Sequence, residues 1–241
     1  MILRRITKHV YEQNWFAVGL DMMVVIVGIF VGLQISNWNV DPQNAAKGDS
    51  YLVRITEELE QDIRFFDNVI SSNERSMDNA RFLLDTLKNE VLVREDPTRF
   101  ITSLAFVGSS FVVNVSNNTI EEIKFSGNLE LITDEELRND IIDYYDFIEV
   151  SENFSHLRLD AETEYQKRIA GVLEPHQSEF GSDLRYNEDE AIIAFEKFKQ
   201  KKDLIEWIPI VMNNKRGTIA MSTQSRRNAQ ELVDLIRSNA N

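Results

Sequence analysis

Cysteine is missing altogether from this sequence, which removes disulfides, thiol nucleophiles and thiolate metal sites together and leaves the redox compartment open. Proline and glycine are scarce, four and nine in 241 residues, so the turn signals that separate the short strands of a β-protein are few. Only three histidines occur, His9, His156 and His176. No glycine-rich phosphate loop, HExxH or GxSxG pattern is present, so the common nucleotide-dependent, metallohydrolase and serine-hydrolase reactions have no sequence handle. The expectation is a protein that is not an enzyme, with no cofactor and no metal site. Positive charge is also short, 26 basic against 40 acidic side chains for a net charge of −14. Acidic helices repel phosphate backbones and anionic headgroups, which speaks against nucleic acid as a partner.

What the sequence does have is one long apolar run. Residues 15–38, WFAVGLDMMVVIVGIFVGLQISNW, are bracketed by Trp15 and Trp38, whose rings suit the headgroup level at both ends of a membrane span. At 1.5 Å per residue the segment reaches about 36 Å, enough to cross a hydrocarbon core of about 30 Å with some tilt. The run is longer than a signal-peptide core, and QISNWNVDP follows Leu33 where a small-residue cleavage site would be needed, so the segment is expected to stay as an anchor. Arg4, Arg5 and Lys8 precede it, whereas only Lys47 and Arg54 follow within about 20 residues. This places the N-terminus in the cytoplasm and the rest of the chain in the periplasm of a bacterial inner membrane, with the lipid bilayer as its first partner.

Beyond the anchor the apolar residues recur at helical spacing. Leu52, Ile55, Leu59, Ile63, Phe66, Ile70, Asn73, Met77, Ala80, Leu84, Leu87 and Val91 step by three and four, the pattern of one buried stripe. Asn73, its one polar member, either sets register or marks a break. Asp96-Pro97 closes this unit and suits the start of a shorter helix to about Val107. SSFVVNVS, residues 109–116, has strand-like composition without an evident pairing partner and reads as extended loop. A helix over about 118–125 ends at Ser126-Gly127-Asn128. Thr133 and Glu136 form a capping-box pattern for a second long helix that carries Leu137, Ile141, Tyr144, Ile148, Phe154, Leu157, Ala161, Tyr165, Ile169 and Leu173, roughly antiparallel to the first. Helices at about 188–212, kinked at Pro209, and at 217–238 complete the count. The expected fold class is all-α, one N-terminal transmembrane helix followed by an elongated antiparallel helical-bundle soluble domain. The domain plan is a cytoplasmic segment 1–14, the span 15–38, a linker 39–50 and an extracytoplasmic helical domain 51–241.

Two blocks, GLDMMVVIVGIFVGLQISNWN at 19–39 and TIEEIKFSGNLELITDEELRNDIIDYY at 119–145, resemble a bacterial family of single-pass membrane proteins, the domain of unknown function family numbered 6090. The first is similar to that family's anchor, with Asp21 just inside an apolar helix that ends in Asn37-Trp38-Asn39. The second is similar to its short helix, Ser-Gly-Asn turn and Leu-rich helix ending in Tyr-Tyr. The resemblance implies an anchor and a helical domain, and no activity, ligand or substrate.

Chemistry is sparse, and each candidate has a plain structural alternative. Asp21, Val25, Gly28, Gly32 and Ile35 fall within about 40° of one line down a helix, and Gly28 with Gly32 is a small-xxx-small pair that admits a second helix. Alternatively Asp21, about 9 Å along the helix from Trp15, sits at the headgroup level and the glycines face lipid. Glu152, His156, Asp160 and Glu164 share a helix side with a conceivable metal spacing, or form a solvated acidic face. Tyr144, Tyr145 and Phe147 beside Asp143 and Asp146 either line a pocket or are one core aromatic and one exposed neighbour. Ser126-Gly127-Asn128 is a recognition loop or simply a helix terminator. The basic tail, nine basic and four acidic residues in 197–241, either packs beside the acidic helices or forms a solvated lysine face.

The expected function is a membrane-anchored, non-enzymatic protein whose extracytoplasmic helices bind another protein or assemble with copies of themselves, as an accessory subunit of a membrane complex. The alternative is an extracytoplasmic ligand sensor that signals through a partner's transmembrane helix, since some 14 residues on the cytoplasmic side hold no output domain. Either way the partner is a second copy or another membrane protein.

Overall fold

The computed structural model describes residues 15–109, 115–178 and 184–239, with the side chains of 15–21, 32–41 and 156–157 outside that description. All regular structure among the described residues is helical. The helices are α1 (Trp15–Thr86), α2 (Val91–Glu95), α3 (Pro97–Phe106), α4 (Asn118–Ser126), α5 (Glu135–Arg168), α6 (Glu188–Gln200) and α7 (Lys202–Asn239), with 3-10 turns at Leu129–Leu131 and Pro175–Ser178. Two compact units divide the chain, Met1–Tyr51 and Leu52–Asn241.

In the first unit the expected linker at 39–50 is helical instead, and Pro42 lies inside α1. A proline removes one backbone donor, but Ala45, Ala46 and Lys47 that follow are strong helix formers, and Lys47 reaches over the Tyr51 ring one turn on, 5.7 Å from its centroid. Among the described residues no helix is long and apolar enough to cross a membrane; of the 15–38 run, the described side chains are those of 22–31.

In the second unit α7 lies antiparallel to α1, with Arg226 2.5 Å from Asp67 and Arg237 paired to Glu60. It is antiparallel to α5 as well: the Trp207 indole donates to the Ala161 carbonyl at 2.9 Å, and the Asn239 amide to Asp134 at 3.2 Å. The two long helices α1 and α5 therefore run in the same direction, not antiparallel as expected. The intervening chain makes the return: Ser103 meets Asn79, Ser76 donates to the Val107 carbonyl, and Thr119 reaches Glu58. Both ion pairs also place the basic tail beside acidic residues of α1. Exposed pairs of this kind fix register more than they stabilise, each contributing about 0–1 kcal/mol.

Local chemistry explains most boundaries. Asn73 does not break α1, because its side-chain amide donates to the Val69 carbonyl at 2.7 Å and so satisfies itself one turn back. The first helix stops at Thr86 rather than running to Val91, and Asn89 accepts the Val91 N–H to begin α2. Asp96 accepts the Arg99 N–H at 2.9 Å and Pro97 opens α3, where its missing donor has no cost. The expected cap of α5 moves by one residue: Asp134, not Thr133, accepts the N–H groups of Glu136 and Leu137, a carboxylate being the better match to the positive helix end. Gly127 ends α4 with φ 69°. The last two helices divide at Lys201, and α7 continues through Pro209 and Gly217. The Pro209 side is exposed, and a Cβ at Gly217 would fall 2.7 Å from the Arg158 guanidinium, so this glycine serves a close approach and not a break.

Around the Thr86 end of α1 the core is apolar. Phe100 is fully buried edge-on to Phe195 and Phe198, at 5.6 and 6.2 Å between ring centroids, among Leu83, Leu104, Val107 and Ile208. Tyr165 is completely buried there and donates to the Leu104 carbonyl at 2.9 Å. Gly108 lies against that ring: a Cβ would come 2.5 Å from Tyr165 Cδ1. Gly108→Ala should therefore lose about 1–3 kcal/mol by overpacking, read as a lower urea midpoint. A midpoint within error of the parent would show that the ring has room to move.

Candidate functional site

One group of buried and half-buried polar side chains of the second unit lies where α1, α4 and α5 meet. Helical spacing places Glu58 and Asp62 one turn apart on α1, and Tyr144 and Tyr145 adjacent on α5. Both tyrosines are buried, 3% and 6% exposed, which corrects the reading of one core and one exposed ring. Each hydroxyl is matched by a carboxylate: Tyr144 donates to Asp62 Oδ2 at 2.8 Å and Tyr145 to Glu58 Oε2 at 3.1 Å. The two rings stand edge to face, 5.2 Å apart.

These carboxylates also hold the start of α4. The Thr119 N–H and hydroxyl donate to Glu58 Oε1 at 3.1 and 2.8 Å, the Ser116 N–H to Asp62, and the Val115 N–H to Glu152 Oε1 at 3.2 Å. The N-cap residue of α4, Asn117, makes no side-chain cap. Acids borrowed from two other helices do that work, matching negative charge to the amides and dipole of a helix start.

Asp62 is the outlier of the group. It is 2% exposed, and burial pushes its carboxyl up to about 7; the Tyr144 bond opposes this, Glu58 adds to it, the Ser116 bond opposes it and Glu152 adds to it. Burial first, and then Asp62, push the Tyr144 hydroxyl far above its ordinary range, and Tyr145 moves the same way through burial and Glu58. Both phenols therefore stay donors at any ordinary pH. The arrangement can take up or release a proton, and it joins three segments while doing so. Tyr144 and Phe147 also line an open groove of about 360 Å³ with Asp140, Asp143 and Glu231.

The other candidates fall out differently. Glu152 is engaged with Val115, Glu164 pairs with Arg168 at 3.0 Å, and the His156 side chain lies outside the described residues. Among the described residues no group of three or more His, Asp or Glu side chains could hold a metal ion. Of the proposed packing face, Val25 is 60% exposed and a Cβ on Gly28 would meet nothing within 4 Å. Asp21, Gly32, Ile35, Trp15 and Trp38 lie where side chains are not described. The Ser126-Gly127-Asn128 turn behaves as a terminator: the Asn128 N–H closes back onto the Ile123 carbonyl at 3.0 Å.

A second buried charge was not singled out by sequence. Lys215 of α7 is 1% exposed, its ammonium 3.2 Å from Glu162 Oε1 of α5 and donating to the Ser109 carbonyl. Burial lowers its pKa and Glu162 opposes that shift. No family model, curated protein or solved structure matches the chain.

Proposed function

We propose that this is a single-pass protein of a bacterial inner membrane, N-terminus in the cytoplasm, whose periplasmic helical domain serves as a non-enzymatic interaction module for copies of itself or for another membrane protein. The observation that carries the reading is MMVVIVGIFV at 22–31: ten consecutive residues on a helix, every one exposed, with no polar side chain on any face. Its large side chains are 49–68% exposed. A helix apolar all round belongs in a protein core or in lipid. Burying a single such side chain is worth about 1.5–3 kcal/mol, so leaving nine of them in water is strongly unfavourable. The apolar sequence continues on both sides towards Trp15 and Trp38, as the resemblance to the 6090 family of unknown function implies, and bilayer is the environment that satisfies the whole run. The open surface at Val25 and Gly28 is where a second helix would approach.

Because the chain has no cysteine, single-cysteine variants report topology cleanly. The membrane fraction should resist carbonate extraction. An impermeant maleimide added outside spheroplasts should label Ser50→Cys and spare Gln13→Cys until the membrane is opened. Release by carbonate, or labelling of Gln13→Cys from outside, contradicts the anchor or its orientation. A photo-crosslinking residue at Val25 or Gly28 should yield an adduct in membranes, and silence at both positions removes the helix interface.

A further inference from the structure

We propose that the Asp62–Tyr144 pair is a proton-operated latch: with Asp62 protonated it holds the start of α4 against α1 and α5, and with Asp62 ionised it loosens that segment. Asp62 is the only one of the three α4-holding carboxylates whose side chain is buried to 2% exposure, and the chain it holds, from Ser116 into α4, also hangs from Glu58 and Glu152. Glu58 lies one turn back on its own helix, Glu152, Tyr144 and Tyr145 come from α5, and the α4 lead-in presents the Ser116 N–H. Lys124 of α4 lines the small cavity of about 100 Å³ that Tyr145 and Glu152 share, yet no cation is among the groups that move Asp62.

Protonated, Asp62 adds no charge to a site already flanked by two acids. Ionised, it is a buried anion beside like charges with two hydrogen bonds to hold it, and hydrating it means parting the segment from Ser116 into α4 from α1, against the burial of Thr119, Ile120 and Ile123. That segment is short: α4 spans nine residues and leads into the Gly127 turn, so it can separate while the Phe100 core stays closed. Because burial holds Asp62 near 7, opening grows as pH rises and levels off with a break near neutral pH, the titration midpoint of the closed form.

Hydrogen exchange of the full chain in detergent tests this, with rates corrected for the intrinsic effect of pH. Peptides covering 118–126 should open at least about tenfold more at pH 8.5 than at pH 6, roughly one pK unit of bias, while peptides covering α6 do not change. Asp62→Asn should abolish the difference. Glu152→Gln keeps an oxygen for the Val115 N–H and removes one repelling charge, so it should move the midpoint to lower pH; this variant decides the matter if Asp62→Asn does not fold. Protection of 118–126 that ignores pH, or a midpoint that Glu152→Gln leaves in place, overturns the latch. Equal loosening of α6 does so too, since the change would then be global.

Discussion

Lys215→Ala should lower the unfolding free energy of the domain by about 3–5 kcal/mol, the range for removing one partner of a buried ion pair. At about 2–4 °C per kcal/mol for a domain of this size, the melting temperature should drop by roughly 10 °C. The loss exceeds that of trimming an exposed lysine because Lys215 is 1% exposed and faces Glu162, itself 4% exposed. Without the ammonium, Glu162 keeps a buried charge with nothing opposite, and Glu162 Oε2 has no hydrogen-bond partner among the described residues. The Ser109 carbonyl loses its donor as well. Apolar replacement of both partners, Glu162→Leu with Lys215→Met, should recover most of the loss, since the desolvation penalty disappears with the charges. Circular-dichroism melts of the parent and the two variants decide it. A Lys215→Ala protein that melts within two degrees of the parent would falsify the assignment of a buried charge pair.

The second large effect is a slope of stability with pH. An aspartate in the unfolded chain has its ordinary value of 3.8, whereas in the fold Asp62 is raised to about 7. Between those values the folded state holds a proton that the unfolded state has already released, so stability falls as pH rises through this window and is flat above it. Integrated, the change is on the order of 4 kcal/mol. The exposed acids act in a different range. Glu174 is lowered chiefly by Lys197, and Glu190 chiefly by the Asn187 N–H; what they contribute is lost only as pH falls through and below the ordinary carboxylate value. The wild type should therefore have a higher urea midpoint at pH 5 than at pH 8, and Asp62→Asn should level the two, gaining at pH 8. Parallel slopes for both proteins would move the effect to another group.

Helix positions were largely legible from sequence because spacing reports burial. Ile55, Leu59, Phe66, Met77 and Ala80 of α1, and Leu137, Ile141, Ile148 and Tyr165 of α5, are buried as their periods require. The misreadings share a cause. The spacing on α1 predicts burial of Ile63 and Ile70, yet Asp62 and Val69 are the buried neighbours. Nothing in a hydrophobic pattern selects an acid over an adjacent isoleucine, and the partners that allow the choice, Tyr144 and the Ser116 N–H, lie far away in sequence. The Tyr144-Tyr145 pair stands beside Asp143 and Asp146 in sequence, but the carboxylates that accept from it, Asp62 and Glu58, come from α1. Lys215 was equally hidden, since its partner Glu162 is 53 residues away and looks like any acid of an acidic helix. Chain direction escapes the pattern as well: Ser103 lies beside Asn79 and Thr119 beside Glu58, so the chain returns along α1 between them.

The uneven interior has a mechanical meaning. The domain is entered at Leu52, and the polar contacts of Glu58 and Asp62 lie within three turns of that point, while the aromatic cluster around Phe100 packs near the other end of the same helix. Tension applied through residue 52 would load those polar contacts, and the buried Ile55 and Leu59 beside them, before it reached the interlocked rings. Pulled through residue 52, the domain is expected to show an early partial extension before the rings around Phe100 separate.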